Sequence, residues 1–124
     1  MLDKKTKGFI GECIAASFLQ KTGFGILNKN WRHKKGELDI VAKKDDLLVF
    51  AEVKTRSTKM FKNRDAAVSP KQRNTIIRTA HHFLEQFHEP VKHIRFDILY
   101  LFDDGFSFEI EHVQDAFYPQ LNEF

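Results

Sequence analysis

Cysteine is nearly absent from this sequence. Cys13 is the only one, so no disulfide closes within the chain and no thiolate cluster can hold a metal. That fits a reducing compartment. Long apolar runs are missing too. Nothing after Met1-Leu2-Asp3-Lys4-Lys5 has the length of a signal peptide or a membrane span. The sequence therefore reads as cytoplasmic, with no membrane partner. Three prolines and six glycines are scattered rather than gathered into a linker, and there is no repeat or low-complexity tract. A chain of 124 residues then makes one compact domain, 1–124. One Trp and two Tyr stand against thirteen Phe. Phe has no polar handle, so most of these rings belong in a core.

Charge is what the sequence has in quantity. Charged residues make up 30% and hydrophobic residues 42%, the balance of an ordinary globular protein. The net charge of +3 is by itself a weak sign of a polyanionic partner. Its distribution says more. Basic residues gather in Arg32-His33-Lys34-Lys35, from Lys54 to Arg64, and in Lys71-Gln72-Arg73, while acidic ones gather between Asp103 and Glu123. Any one of these clusters is equally what a solvated loop carries.

The hydrophobic pattern predicts a helix over about Gly8 to Lys21, apolar around most of its circumference and so largely buried. Gly23 and Gly25 end it. Strands follow near Ile26–Arg32 and Glu37–Ala42, then a turn at Lys43–Asp46 and a third strand from Leu47 to Thr55. The third is apolar on both faces until Glu52, which places it mid-sheet beneath helices on both sides. A basic loop spans Arg56–Val68. Ser69 and Pro70 cap a second helix that Pro90 closes. A strand at His93–Phe102, a turn at Asp103-Asp104-Gly105 and a strand at Phe106–Val113 complete the order, with a short helical turn expected in the tail from Gln114.

Five acidic or basic positions break this apolar frame. Residues two apart on a strand share a face, so Glu37 and Asp39 point together, as do Glu52 and Lys54. A hairpin centred on residues 45 and 46 puts Asp39 roughly opposite Glu52, with Lys54 beside them. Glu12 lies on the first helix between Ala16 and Leu19, and a carboxylate on an apolar face needs a partner. Sheltered carboxylates repel unless a hard divalent cation joins them, and oxygen ligands suit Mg²⁺ or Mn²⁺. Such an ion polarises phosphoryl oxygens and activates water, and a nearby lysine stabilises developing negative charge. The bland alternative is a strand end at Asp39 and a weak surface pair at Glu52 and Lys54.

Asp39 followed by Glu52-Val53-Lys54 resembles the metal motif of the PD-(D/E)XK nuclease superfamily, with Leu38 where the superfamily's name has proline. A closer resemblance is to the YraN family of small bacterial proteins. It runs through Gly11-Glu12, Asn30-Trp31-Arg32, Gly36-Glu37-Leu38-Asp39, Phe50 to Arg56, Val68 to Arg73, Arg95-Phe96-Asp97 and Ala116-Phe117. Similarity to archaeal Holliday junction resolvases is looser. These resemblances imply a restriction-endonuclease-like three-layer α/β fold, a central mixed five-stranded sheet flanked by helices. They imply Asp39, Glu52, the Val53 carbonyl and Glu12 as ligands of Mg²⁺ or Mn²⁺, and Lys54 as the catalytic lysine. The implied activity is cleavage of DNA, branched or damaged forms included, with a homodimer allowed by analogy to the resolvases. A nucleic-acid-binding module of the same fold, with little or no cleavage, is the competing reading.

The remaining motifs are read around this centre. Arg32, Lys35, Arg56, Lys71 and Arg73 are the expected contacts to phosphate, and Gln72 resembles a glutamine that supports nuclease sites. Lys71 and Arg73 sit in a first helical turn, where an anion would relieve their conflict with the helix dipole. The histidines at 81, 82, 88 and 93 read as structural or solvated. Arg95 and Asp97 read as an internal ion pair bracing the site.

Overall fold

The computed structural model describes residues 3–57 and 68–119. The expected helix is longer at its start. α1 (Lys4–Lys21) begins four residues before Gly8, because Asp3 acts as N-cap and accepts the Thr6 N–H at 2.7 Å. It ends on Thr22 with Gly23 in the left-handed region, φ 102°, where the Gly23 and Phe24 N–H groups donate back to Gln20 and Leu19. The helix is also less buried than its composition implies. Ala15, Ala16 and Leu19 are buried and Phe9 is 64% exposed.

Five strands follow in chain order and lie in the same order in the sheet: β1 (Gly25–His33), β2 (Gly36–Lys44), β3 (Leu47–Ser57), β4 (His93–Asp103) and β5 (Phe108–Phe117). β1, β2 and β3 form an antiparallel meander, β3 and β4 are parallel, and β5 turns back antiparallel. The sheet is therefore mixed, with β3 at its centre as expected. α2 (Pro70–Gln86) makes the parallel crossover, with the Ser69 hydroxyl accepting the Gln72 N–H and Pro70 at the first position. It stops at Gln86, four residues before Pro90.

The two faces of the sheet are packed by different helices. Ala15, Ala16 and Leu19 of α1 pack with Ile40, Ala42, Val49, Ala51, Leu99 and Leu101. Ile76, Ile77, Ala80 and Phe83 of α2 pack with Leu38, Val41, Leu48, Phe50, Phe96 and Ile98. Helix, sheet and helix thus form three layers.

The last hairpin departs from expectation. Asp104 caps a turn by accepting the Phe106 and Ser107 N–H groups at 2.8 Å each, so β5 starts at Phe108 rather than Phe106. It also runs on to Phe117, where a helical turn was expected from Gln114. A register shift between Phe96 and Ile98, with Asp115 at φ 51°, carries the strand past Val113. The expected loop over 58–67 and the end of the tail, 120–124, lie outside the described residues. Among the described residues no helix is long and apolar enough to cross a membrane.

Candidate functional site

The β2–β3 hairpin closes on Lys44 and Leu47, and its paired residues run back to Ile40 and Ala51. In this register Asp39 and Glu52 are the next pair, as the hairpin reading required. Beyond it, Asp39 Oδ2 accepts the Val53 N–H at 2.9 Å. Strand alternation also breaks here. Leu38 packs on the α2 side and Ile40, of the same parity, on the α1 side. Glu37 and Asp39 flank Leu38 and so turn towards α1, where they meet Glu12. One carboxylate oxygen from each of Glu12, Glu37 and Asp39 lies within 4.8 Å of the others.

Glycines set how closely the layers approach beside these acids. A Cβ on Gly11 would collide with the Thr55 hydroxyl of β3, and one on Gly36 with the Thr79 hydroxyl of α2. Each glycine directly precedes a glutamate of the cluster. The β1–β2 turn is further held to α2 by stacking of the His33 and His82 rings, whose centroids are 4.1 Å apart. His81 and His82 both lie within 3.5 Å of Glu85, so these histidines have local partners away from the acids.

Glu52 adjoins this cluster through Asp39 and is the most buried of the four acids. It is only 6% exposed and shares a hydrogen bond with the Asp39 carboxyl. Burial, and then the charge of Asp39, push its pKa up to about 8, while Lys54 acts in the opposite sense. Burial also raises Asp39, although the Val53 N–H and Lys54 oppose it. Glu12 is raised by burial and by Asp39, with the Asn30 amide opposing. Burial and mutual repulsion thus both favour the protonated form within the Asp39–Glu52 pair.

These acids open into a cleft of about 660 Å³ at the C-terminal end of β3. Glu37, Lys54, Thr55 and Arg56 line it from the sheet, Lys35 from the β1–β2 turn, and Gln72 and Thr75 from α2. Lys4 and Lys7 of α1 line it as well, and they were missed because the helix was started at Gly8. Their signal was present as Asp3 three residues ahead of Thr6. Lys7 pairs with Asp103 at 3.6 Å. The remaining basic candidates do not line the cleft. Arg32 lies on β1 and pairs with Glu37 at 2.9 Å. Arg73 donates to the Val68 carbonyl at 3.0 Å and lies over the Phe117 ring. Lys71 is exposed at the start of α2 and does not line the cleft.

The Arg95–Asp97 pair exists, but away from this cleft. Asp97 is fully buried and receives two bonds from Arg95, at 2.8 and 2.9 Å. His112 lies 2.7 Å from it, and the Asp115 N–H donates at 3.1 Å. Arg95 and His112 border a different recess, with Phe18, Thr22 and Lys44. The pair braces the β4–β5 bulge rather than the acids.

The donor set fits a hard divalent cation. All three groups offer carboxylate oxygens, the donor type that Mg²⁺ and Mn²⁺ take. Comparison with known proteins adds the lineage. The profile of the uncharacterised protein family UPF0102 matches residues 11–101. A UPF0102 protein of Flavobacterium johnsoniae is 38% identical over 122 residues, covering 95% of this chain and 98% of its own. One of Bacteroides thetaiotaomicron is 39% identical over 122 residues, covering 98% and 99%. One of Geotalea daltonii is 40% identical over 116 residues, covering 93% and 91%. The chain belongs to the UPF0102 family, which is the YraN family its motifs resemble.

Proposed function

We propose that this UPF0102 protein is a Mg²⁺- or Mn²⁺-dependent endonuclease of the restriction-endonuclease-like fold, acting on DNA. The observation that carries the reading is the buried Glu52 at the head of a cleft that also holds three clustered carboxylates and a rim of lysines. A binding surface for phosphate has no use for four acids at its centre. An acid buried against a second acid, with burial and repulsion outweighing the nearby Lys54, is a destabilising arrangement that a functional site accounts for.

In this reading Glu12, Glu37 and Asp39 hold the cation, with the Val53 carbonyl and Glu52 as further donors once Glu52 gives up its proton. A cation bound there supplies charge neutralisation at a phosphoryl oxygen and a more acidic water. Lys54 places its ammonium beside Asp39 and Glu52, where it stabilises negative charge developing on the phosphate. Lys4, Lys7, Lys35 and Arg56 bind the flanking backbone phosphates. Glu52 burial keeps bulk water from the deep side of the site.

The test is incubation of linear, nicked, flapped and four-way DNA, with matched RNA, in Mg²⁺ or Mn²⁺. Cleavage of DNA that disappears in Lys54→Ala and in Asp39→Asn is the expected result. Binding without cleavage would leave a nucleic-acid-binding module, and neither binding nor cleavage would overturn both readings.

A further inference from the structure

The Asn30-Trp31-Arg32 motif does not line the cleft, yet its geometry gives it a task. Trp31 packs into the α2-side core, its ring edge-on to Phe83 at 5.3 Å. That anchors β1, while Asn30 and Arg32 on either side of it reach the acids. Asn30 Nδ2 donates to Glu12 Oε1 at 3.3 Å, and Arg32 Nε donates to Glu37 Oε2 at 2.9 Å. Asp39 receives its own donor from the Val53 N–H. Each carboxylate of the cluster thus accepts a hydrogen bond from a donor outside the cluster. Such outer partners fix the direction of ligands and sharpen affinity.

The backbone at Asn30 supports the same conclusion. Its φ of 54° is left-handed, inside a strand, where few residues other than Gly, Asn and Asp are at ease. Lys29 pairs with Ile40 and Trp31 with Leu38, so Asn30 lies across from Asp39, where β2 breaks its alternation. An unusual backbone held at a cluster of polar groups is a mark of function.

We propose that Asn30 and Arg32 are positioning residues that aim Glu12 and Glu37 at Asp39, creating the divalent-cation site. This rests on the metal-dependent reading above. Neither residue touches the substrate in this role.

The experiment is calorimetric titration of the full chain with Mn²⁺, alongside thermal melts in chelator. Asn30→Gly keeps the left-handed backbone and removes the amide, and Arg32→Ala removes the guanidinium. Each should weaken Mn²⁺ binding roughly tenfold to a hundredfold. Arg32→Lys should recover part of the loss. In a Glu12→Gln background, Asn30→Gly should add nothing, because it acts through Glu12. If the parent binds Mn²⁺ and Asn30→Gly and Arg32→Ala bind it equally well, the positioning role is wrong while the metal-dependent reading stands. If only the melting temperature in chelator falls, the residues are structural and the proposal is likewise overturned. If Arg32→Ala instead loses DNA affinity in chelator with Mn²⁺ affinity intact, Arg32 contacts phosphate and its half of the proposal fails. A parent that binds no Mn²⁺ overturns the metal-dependent reading itself.

Discussion

Glu52 and Asp97 are buried acids on adjacent parallel strands, one residue out of register, since Glu52 pairs with Ile98. Their surroundings are opposite. Burial works against the Asp97 charge, but His112, Arg95 and the Asp115 N–H outweigh it and hold its pKa below the usual carboxylate value. Burial also works against Glu52, and its nearest neighbour is another acid, so its pKa rises to about 8. An acid that a fold encloses with donors is part of the scaffold. One enclosed beside a second acid is, in the proposed reading, held for a cation that comes from outside.

The sharpest way to break this contrast is truncation of each acid. Asp97→Ala leaves Arg95 and His112 buried without their counter-charge and should cost about 3–5 kcal/mol in urea unfolding. Glu52→Gln removes a charge that burial and Asp39 both disfavour, and metal-free stability at pH 7 should be unchanged or higher. Equal losses in both variants would erase the distinction.

The next effect is on pH dependence. Glu52 has a raised pKa in the folded state, so between about 4.5 and 8 the folded protein binds more protons than the unfolded one. Metal-free stability should then fall as pH rises through this window, by up to about 1.4 kcal/mol per pH unit. Asp97 acts on the other side. Its pKa is lowered, so its contribution is present above the ordinary value of 3.8 and is lost as pH falls through the folded value. Glu52→Gln should flatten the neutral slope alone. Chelated melts across pH 3–9 check both arms, and a slope that survives in Glu52→Gln would assign it to another group.

A smaller effect concerns the cleft wall. Lys7→Ala and Lys35→Ala should each reduce the slope of log affinity against log salt by about 0.9 for duplex DNA. Their stability effect should stay within about 0.5 kcal/mol, as for other surface positions. Arg73→Ala, which breaks contacts to Val68 and Phe117, should leave the salt slope unchanged. A fall in slope for Arg73 instead would move the nucleic-acid path towards the start of α2.

Much of this arrangement was legible in residue spacing. The two-residue turn at Asp45-Asp46 fixed the pairing that puts Asp39 across from Glu52, and the doubly apolar run before Glu52 marked the central strand. Glu12 was legible as a carboxylate among apolar neighbours. What escaped depended on breaks in regular geometry. That Glu37 shares a face with Asp39 was legible, but that this face meets Glu12 was not, because alternation fails between Leu38 and Ile40 and no periodic pattern encodes such a failure. His112 reaches Asp97 only because β5 shifts register beside it. Asn30 was noticed in a motif, but its left-handed backbone and its bond to Glu12 belong to the folded strand.

The central claim is that the acids beside Glu52 await a divalent cation. Its most direct test is a pair of thermal melts, in chelator and in excess Mn²⁺, on the parent and on Asp39→Asn. A ligand that binds only the folded state adds about 2.7 kcal/mol at a hundredfold excess over its dissociation constant. The parent should gain on that scale, and Asp39→Asn should melt higher than the parent in chelator yet gain much less from Mn²⁺. Equal Mn²⁺-induced shifts in the two proteins, or none in either, would contradict the account.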